Sequence, residues 1–265
     1  MLGEATEAED VVQDAYLRWE RSDRVAVPEA WLTKVVVNLC LNRLTSARVK
    51  REQYVGPWLP EPVFTDGLLD SVERRDTVSL GLLVLLERLT PPERAVFVLR
   101  EAFDYGHRDI GELLDLTEAH VRQLYRRARA HVGEPRARFT ATRQERKRIV
   151  ERFLAAALDG DMAGLERLLA EDVVVWADGG GKASAALRPV LGRDKVLRVL
   201  VGLGGRLTAD MELTIEVVNG EPAVVVRERG VLTAVAVPEL VDGHVVAMHA
   251  ITNPDKLAFL NAQAA

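Results

Sequence analysis

The chain has 265 residues, 48% of them hydrophobic, a net charge of −5 and a single cysteine. That is enough apolar material for two or three buried cores. No run approaches the ~20 apolar residues of a membrane span, and the acidic opening MLGEATEAEDVVQD lacks the basic and apolar blocks of a signal peptide. A globular cytoplasmic protein without an internal disulfide is expected, with Cys40, inside the apolar run VVVNLCLNRL, as a buried structural thiol.

Residues 7–21 and 28–51 carry apolar side chains at helical spacing, with Pro28 suited to a helix start and Arg43, Arg48, Lys50 and Arg51 gathered toward the second helix's end. The stretch YVGPWLPEP at 54–62 sets a tryptophan and a leucine among three prolines, where no helix or interior strand continues. With Asp66-Gly67 it makes 55–70 a linker, and a new helical unit is expected to begin near Leu68.

Between 87 and 132, Thr90 is placed as an N-cap ahead of Pro91 and Pro92. A short apolar-periodic piece (Ile110, Leu113, Leu114), a break at Asp115-Leu116 and a longer piece capped by Thr117 then outline a helix-turn-helix. On the longer helix Val121, Leu124, Tyr125, Ala128 and Val132 should face the core. His120, Arg122, Gln123, Arg126, Arg127 and Arg129 are left outside, where arginine and glutamine can read base edges or grip phosphates. An ordinary solvated basic face is the plainer alternative.

Charge is unevenly spread. Residues 1–148 hold 24 acidic and 24 basic side chains, residues 149–265 hold 16 and 11, and the stretch 119–148 concentrates ten Arg or Lys against two Glu. That stretch could neutralise phosphates. Beyond Pro135, residues 144–170 form an amphipathic helical stretch interrupted at Asp159-Gly160-Asp161. EDVVVWAD, MELTIEVVNG, PAVVVRERG, VLTAVAVPEL and HVVAMHAIT then read as strands of an antiparallel sheet. The C-terminal part is therefore a helices-then-strands α+β domain.

Catalytic signals are weak. GGGKAS fails as a phosphate-binding loop, because Trp176 and Ala183 stand where glycine and Ser or Thr are required. Asp178, His244 and His249 could do acid/base work in an apolar pocket, but no pair has a defined spacing. No His/Cys/Asp cluster has metal-ligand spacing. No enzyme activity, cofactor or metal is expected; a small-molecule ligand of the C-terminal domain is left open.

EAEDVVQDAYLRW at 7–19, PEAWLTKVVVNLCLNRLTSARVKRE at 28–52 and LTPPERAVFVLREAFDYGHRDIGELLDLTEAHVRQLYRRAR at 89–129 resemble, in order and spacing, bacterial sigma factors of the extracytoplasmic-function type. WLPEP at 58–62, DGGGK at 178–182 and NPDKL at 253–257 resemble signatures of the subgroup that carries a fused C-terminal polyketide-cyclase-like (SnoaL-like) domain.

The resemblance implies a multidomain chain: an all-α sigma-2 domain (1–54), a linker (55–70), an all-α sigma-4 helix-turn-helix domain (71–136) and an α+β SnoaL-like cone or barrel (137–265). It implies core RNA polymerase and promoter DNA as partners. Core polymerase binding would fall on Glu9, Asp10, Gln13 and Asp14. The minus-ten element would fall on the loop from Ser22 to Ala30 with Trp31, Lys34, Asn38, Asn42 and Arg43, and the minus-thirty-five element on the helix-turn-helix. Melting DNA needs an aromatic surface and cations for the single strand, although a lone tryptophan at a helix start is more often core.

In that subgroup the fused domain regulates in place of a separate inhibitor, and the expected contact joins Trp58, Leu59, Pro60, Glu61 and Pro62 to Asp178, Gly179, Gly180, Gly181 and Lys182, with Asn253, Pro254, Asp255, Lys256 and Leu257 close by. A stiff Pro-rich segment loses little entropy on docking, and Lys182 is a candidate partner for Glu61. The free chain is expected to be a monomer with no membrane association. The rival reading is a helix-turn-helix regulator with a small-molecule-sensing domain that never joins polymerase. Two departures from the family are expected to matter: the first sigma-2 helix is missing ahead of MLG, and Asp109 and Gly111 stand where Glu and Ala are usual, the glycine costing ~1 kcal/mol of helix propensity.

Overall fold

A computed structural model of the chain describes residues 1–22, 25–65, 79–133 and 142–264, with side chains described for all of these except 48–52. The expected helix start near Leu68 lies outside them. Contacts gather the chain into two compact units, one of Met1–Gln53 with Leu83–Pro135, the other of Tyr54–Leu82 with Arg136–Ala265. The Pro-rich stretch thus folds with the C-terminal unit.

The first unit is helical: α1 (Ala5–Glu20), α2 (Pro28–Glu52), the end of α3 (Leu80–Leu86), α4 (Pro91–Phe103), α5 (His107–Leu114) and α6 (Glu118–Val132). α2 is apolar on two sides and serves two cores. Leu39, Cys40 and Leu44 pack with Leu2, Val11 and Ala15 of the N-terminal segment, and burial pushes the Cys40 thiol pKa up. Val37, flanked by Leu41, enters a second cluster with Ala95, Val96, Leu99, Ile110, Val121 and Leu124 from α4, α5 and α6. The two halves of the unit are therefore joined through α2, which contributes to both cores.

Thr90 caps α4 as its sequence implied. Its amide and its hydroxyl both donate to the Glu93 carboxylate, at 3.0 and 2.8 Å. Burial works against the Glu93 charge, but these hydrogen bonds outweigh it and hold the carboxyl below its usual range.

α5 ends at Asp115, which takes a left-handed conformation (φ 57°), and the Leu116 amide donates back to the Gly111 carbonyl at 2.9 Å. A Cβ on Gly111 would lie 2.7 Å from the Leu116 carbonyl oxygen. The glycine that weakens the helix is thus what lets the turn to α6 close this tightly.

The second unit comprises α7 (Arg143–Asp159), α8 (Met162–Leu168), β1 (Leu169–Asp178), β2 (Val190–Leu191), α9 (Arg193–Gly204), β3 (Met211–Val218), β4 (Glu221–Glu228), β5 (Val231–Val241), β6 (His244–Ile251) and α10 (Pro254–Gln263). The sheet order is β2-β1-β6-β5-β4-β3. Its pairs are antiparallel except β1 with β6, which run parallel, so the expected all-antiparallel sheet is corrected to a mixed one. Parallel neighbours need a long crossover, supplied here by everything from β2 to β5, and strand composition alone carries no sign of it. β2, at two residues, is too short for an alternation to show.

One sheet face packs against α7, α8 and α9 through Phe153, Leu165, Leu168, Val173, Val196 and Met248. α10 lies against β5 with Leu257 and Leu260 buried. The linker extends the sheet beyond β3: Phe64 bridges Val218 antiparallel, the Thr65 amide donates to the Val217 carbonyl (3.2 Å) and the Asn219 amide to the Val63 carbonyl (2.8 Å).

Replacing Thr90 by Ala should cost about 1 kcal/mol, read as a lower denaturation midpoint. Because the Glu93 carboxyl is held low in the folded state, its contribution is present above the ordinary glutamate value and disappears as pH falls through the depressed one. Glu93→Gln should therefore flatten the acid limb of a stability–pH curve; an unchanged acid limb would remove Glu93 from the account.

Candidate functional site

Two surfaces and one buried cluster hold the sequence-selected residues. The first surface is the outer face of α6. Val121, Leu124 and Ala128 are buried beneath it, while His120, Arg122, Gln123, Arg126, Arg127 and Arg129 are all exposed. The side chain of Thr117 accepts from the His120 amide at 3.3 Å and starts the helix. Arg122 pairs with Glu118 at 2.6 Å, one turn back, and Tyr125 is tied by its hydroxyl to the Glu101 carboxylate. The remaining cations lie on the solvent side of a helix whose other side is bolted into the core.

The second surface is formed by α1 and α2. Glu9, Asp10 and Gln13 are exposed and Asp14 is half-buried. Of the residues expected to meet the minus-ten element, Asn38 and Asn42 are exposed, and Trp31 is half-buried, edge-to-face with Trp19 at 5.7 Å between ring centroids. Lys34 is bonded to Asp115 at 2.9 Å. Arg43 lies 3.3 Å from Asp10 and 3.2 Å from Asp14. The sequence reading supplied these positions but none of these three ion pairs. Residues 23 and 24 of the loop lie outside the described ones.

The buried cluster sits where the linker meets the C-terminal domain. Asp178, at the end of β1, is 0% exposed; its Oδ2 accepts from the Lys256 ammonium at 2.7 Å and from the Leu59 amide at 2.8 Å, and its Oδ1 accepts from the Tyr54 hydroxyl at 2.5 Å. Lys256 also donates to the Leu59 carbonyl. The ion pair thus satisfies both backbone groups of one linker residue, as a neighbouring strand would, while the Leu59 side chain is buried to 1% exposure. The ammonium lies 3.9 Å from the Trp58 ring centroid and 5.0 Å from that of Tyr54.

Around this pair the three signatures interlock. Asn253 caps α10 through its side-chain oxygen and donates from Nδ2 to the Tyr54 hydroxyl at 2.8 Å, and the Asp178 carbonyl accepts from the amides of Thr252 and Asn253. Gly180 has φ 58°, and a Cβ there would sit 2.3 Å from Asn253 Nδ2 and 3.0 Å from the Tyr54 hydroxyl, so both conformation and space call for glycine. Burial, followed by the Asp178 carboxylate, drives the Tyr54 pKa far up and keeps its hydroxyl a donor. Tyr54, four residues before the tryptophan of WLPEP, was not among the selected residues; its polar ring beside a Pro-rich stretch was the available signal.

Lys182 is not the partner of Glu61. It pairs with Asp255 at 2.5 Å, joining DGGGK to NPDKL on the surface, whereas Glu61 is buried. The three weak acid/base candidates lie apart in their surroundings. Asp178 is committed to Lys256, His244 is exposed with Nδ1 2.8 Å from the Asp242 carbonyl, and His249 is buried on β6 with Nε2 3.8 Å from Glu239.

Comparison with known proteins supplies the family. Residues 1–49 match the family described as Sigma-70 region 2, and residues 79–132 match Sigma-70, region 4. The chain is 38% identical over 274 residues to the ECF RNA polymerase sigma factor SigJ of Mycobacterium tuberculosis, covering 97% of this chain and 87% of that protein. It is 29% identical over 269 residues to the probable ECF RNA polymerase sigma factor SigI of the same species, covering 99% and 90%. The crystal structure of Mycobacterium tuberculosis SigJ superimposes with a TM-score of 0.78 at 35% identity, covering 97% of this chain and 91% of that one. With two helical sigma regions ahead of a SnoaL-like α+β domain, the chain belongs to the extracytoplasmic-function RNA polymerase sigma factors.

Proposed function

We propose that this chain binds core RNA polymerase through the exposed face of α1 and directs it to promoters read by α2 and α6, and that its C-terminal domain acts as a built-in regulator by holding the linker. The observation that carries the reading is the joint exposure of six polar and basic side chains on α6, all aimed away from its buried apolar stripe. Arginine and glutamine in that arrangement suit base edges and flanking phosphates at the minus-thirty-five element. Asn38 and Asn42, with Trp31 and Lys34, offer the matching surface for the minus-ten element.

The regulatory part rests on the linker. The segment between the two sigma domains is anchored at Tyr54, Leu59 and Phe64 to the C-terminal domain, so the chain available to span two promoter elements depends on whether that anchor holds. We read the C-terminal domain as a regulator without catalysis, the free protein as a monomer, and a small-molecule ligand as an addition that this role does not require. Asp178, the strongest acid/base candidate, is fully buried in an ion pair.

Run-off transcription with purified core polymerase, this chain and DNA from upstream of its own gene should yield a discrete transcript. DNA binding without any transcript would favour a regulator that works apart from polymerase.

The anchor has its own tests. Removing one member of a buried pair typically costs about 3–5 kcal/mol, so Asp178→Asn or Lys256→Met should lower the thermal midpoint of the C-terminal domain markedly. Trp58→Ala should leave that domain folded while speeding protease cleavage between 54 and 65 and changing the transcript yield. Unaltered cleavage and yield in Trp58→Ala would remove the linker from the regulatory scheme.

A further inference from the structure

Trp31, Lys34, Asn38 and Asn42 follow one another at spacings of three and four and form a single stripe along α2. Arg43, next in the chain to Asn42, is turned by ~100° around the helix. That rotation carries it toward α1, where Nη1 meets Asp10 Oδ2 at 3.3 Å and Nη2 meets Asp14 Oδ2 at 3.2 Å. Its side chain is only 26% exposed, against 56% and 49% for the two aspartates. The guanidinium is therefore drawn in beneath a carboxylate pair that remains open to solvent.

We propose that Arg43 is a positioning residue for the polymerase-binding face of α1, and not a DNA contact. Asp10 and Asp14 are one turn apart, a spacing at which like charges repel and would splay. A planar guanidinium can take one oxygen of each with two different nitrogens, as a lysine ammonium cannot do in the same fixed geometry. With Oδ2 of each aspartate held by Arg43, both carboxylates still stay about half exposed, in the same turns as exposed Glu9 and Gln13. A partner surface carrying cations would meet carboxylates already oriented, with less side-chain entropy left to lose on docking. The inference rests on the assignment of α1 to core polymerase made above.

The test uses the full chain, labelled and titrated with core RNA polymerase, and in parallel with single-stranded oligonucleotides from upstream of its own gene. Arg43→Gln should weaken polymerase binding about 3- to 10-fold, within the range of couplings measured for residues in one ion-pair network, and leave oligonucleotide affinity within about twofold. Arg43→Lys should recover part of the loss, and in an Asp10→Asn, Asp14→Asn background Arg43→Gln should add nothing further. A merely structural role would instead lower thermal stability and act additively in that background. Loss of oligonucleotide binding with polymerase binding intact overturns the proposal. If the wild-type chain does not bind core polymerase at all, the assignment of α1 falls and takes the inference with it; if it binds and Arg43→Gln binds equally well, the inference alone falls.

Discussion

The structure of the C-terminal half turns on one buried ion pair. Asp178 and Lys256 are removed from water, with side chains 0% and 8% exposed, and taking two charges into such surroundings costs several kcal/mol per ion unless further hydrogen bonds satisfy them. Those bonds come mainly from the linker: the Tyr54 hydroxyl and Leu59 amide to Asp178, and the Leu59 carbonyl to Lys256. Removing the linker would leave the pair without these partners. The fold of the SnoaL-like domain and the conformation of a segment more than one hundred residues earlier are thus thermodynamically linked, and the link works in both directions.

This coupling gives the three short signatures a single physical meaning. In WLPEP, tryptophan supplies a ring face for an ammonium and leucine supplies a buried side chain with both backbone groups satisfied, while the prolines keep the free segment stiff. In DGGGK, the aspartate is the buried anion, Gly180 gives room to Asn253 and Tyr54, and the lysine pairs on the surface with Asp255. In NPDKL, asparagine starts α10 and holds Tyr54, lysine is the buried cation, and leucine enters the core. Each motif lacks most of its partners until the other two arrive.

Much of this was legible in the sequence because it is periodic or locally capped. The α6 face, the caps at Thr90 and Thr117 and the five longer strands follow from spacing and composition within a dozen residues. The partners do not. Asp178 was read both as part of the DGGGK contact with the linker and as a weak acid/base candidate; its ion pair with Lys256 and its bond to the Leu59 amide could not be read from the sequence. Lys182 was matched to Glu61 by charge alone, whereas register places it beside Asp255. Arg43 was grouped with its neighbour Asn42, although one residue along a helix means a different face, and its pairing with Asp10 and Asp14 of α1 was not legible. The parallel β1–β6 pair was hidden because pairing direction depends on a crossover that no local pattern records.

The helical unit poses a complementary constraint. α2 packs against α1 on one side and, through Val37 and Leu41, against α4, α5 and α6 on another, with Lys34 bonded to the C-cap of α5. Moving α2 away from the helix-turn-helix would expose Val37 and the faces it covers, at about 1.5–3 kcal/mol for each large side chain fully uncovered. The exposed ion pair Lys34–Asp115 adds little to that cost. Any binding event that draws the two apart must make up that difference with its own contacts, since a ligand shifts a conformational equilibrium only by its differential affinity for the two states.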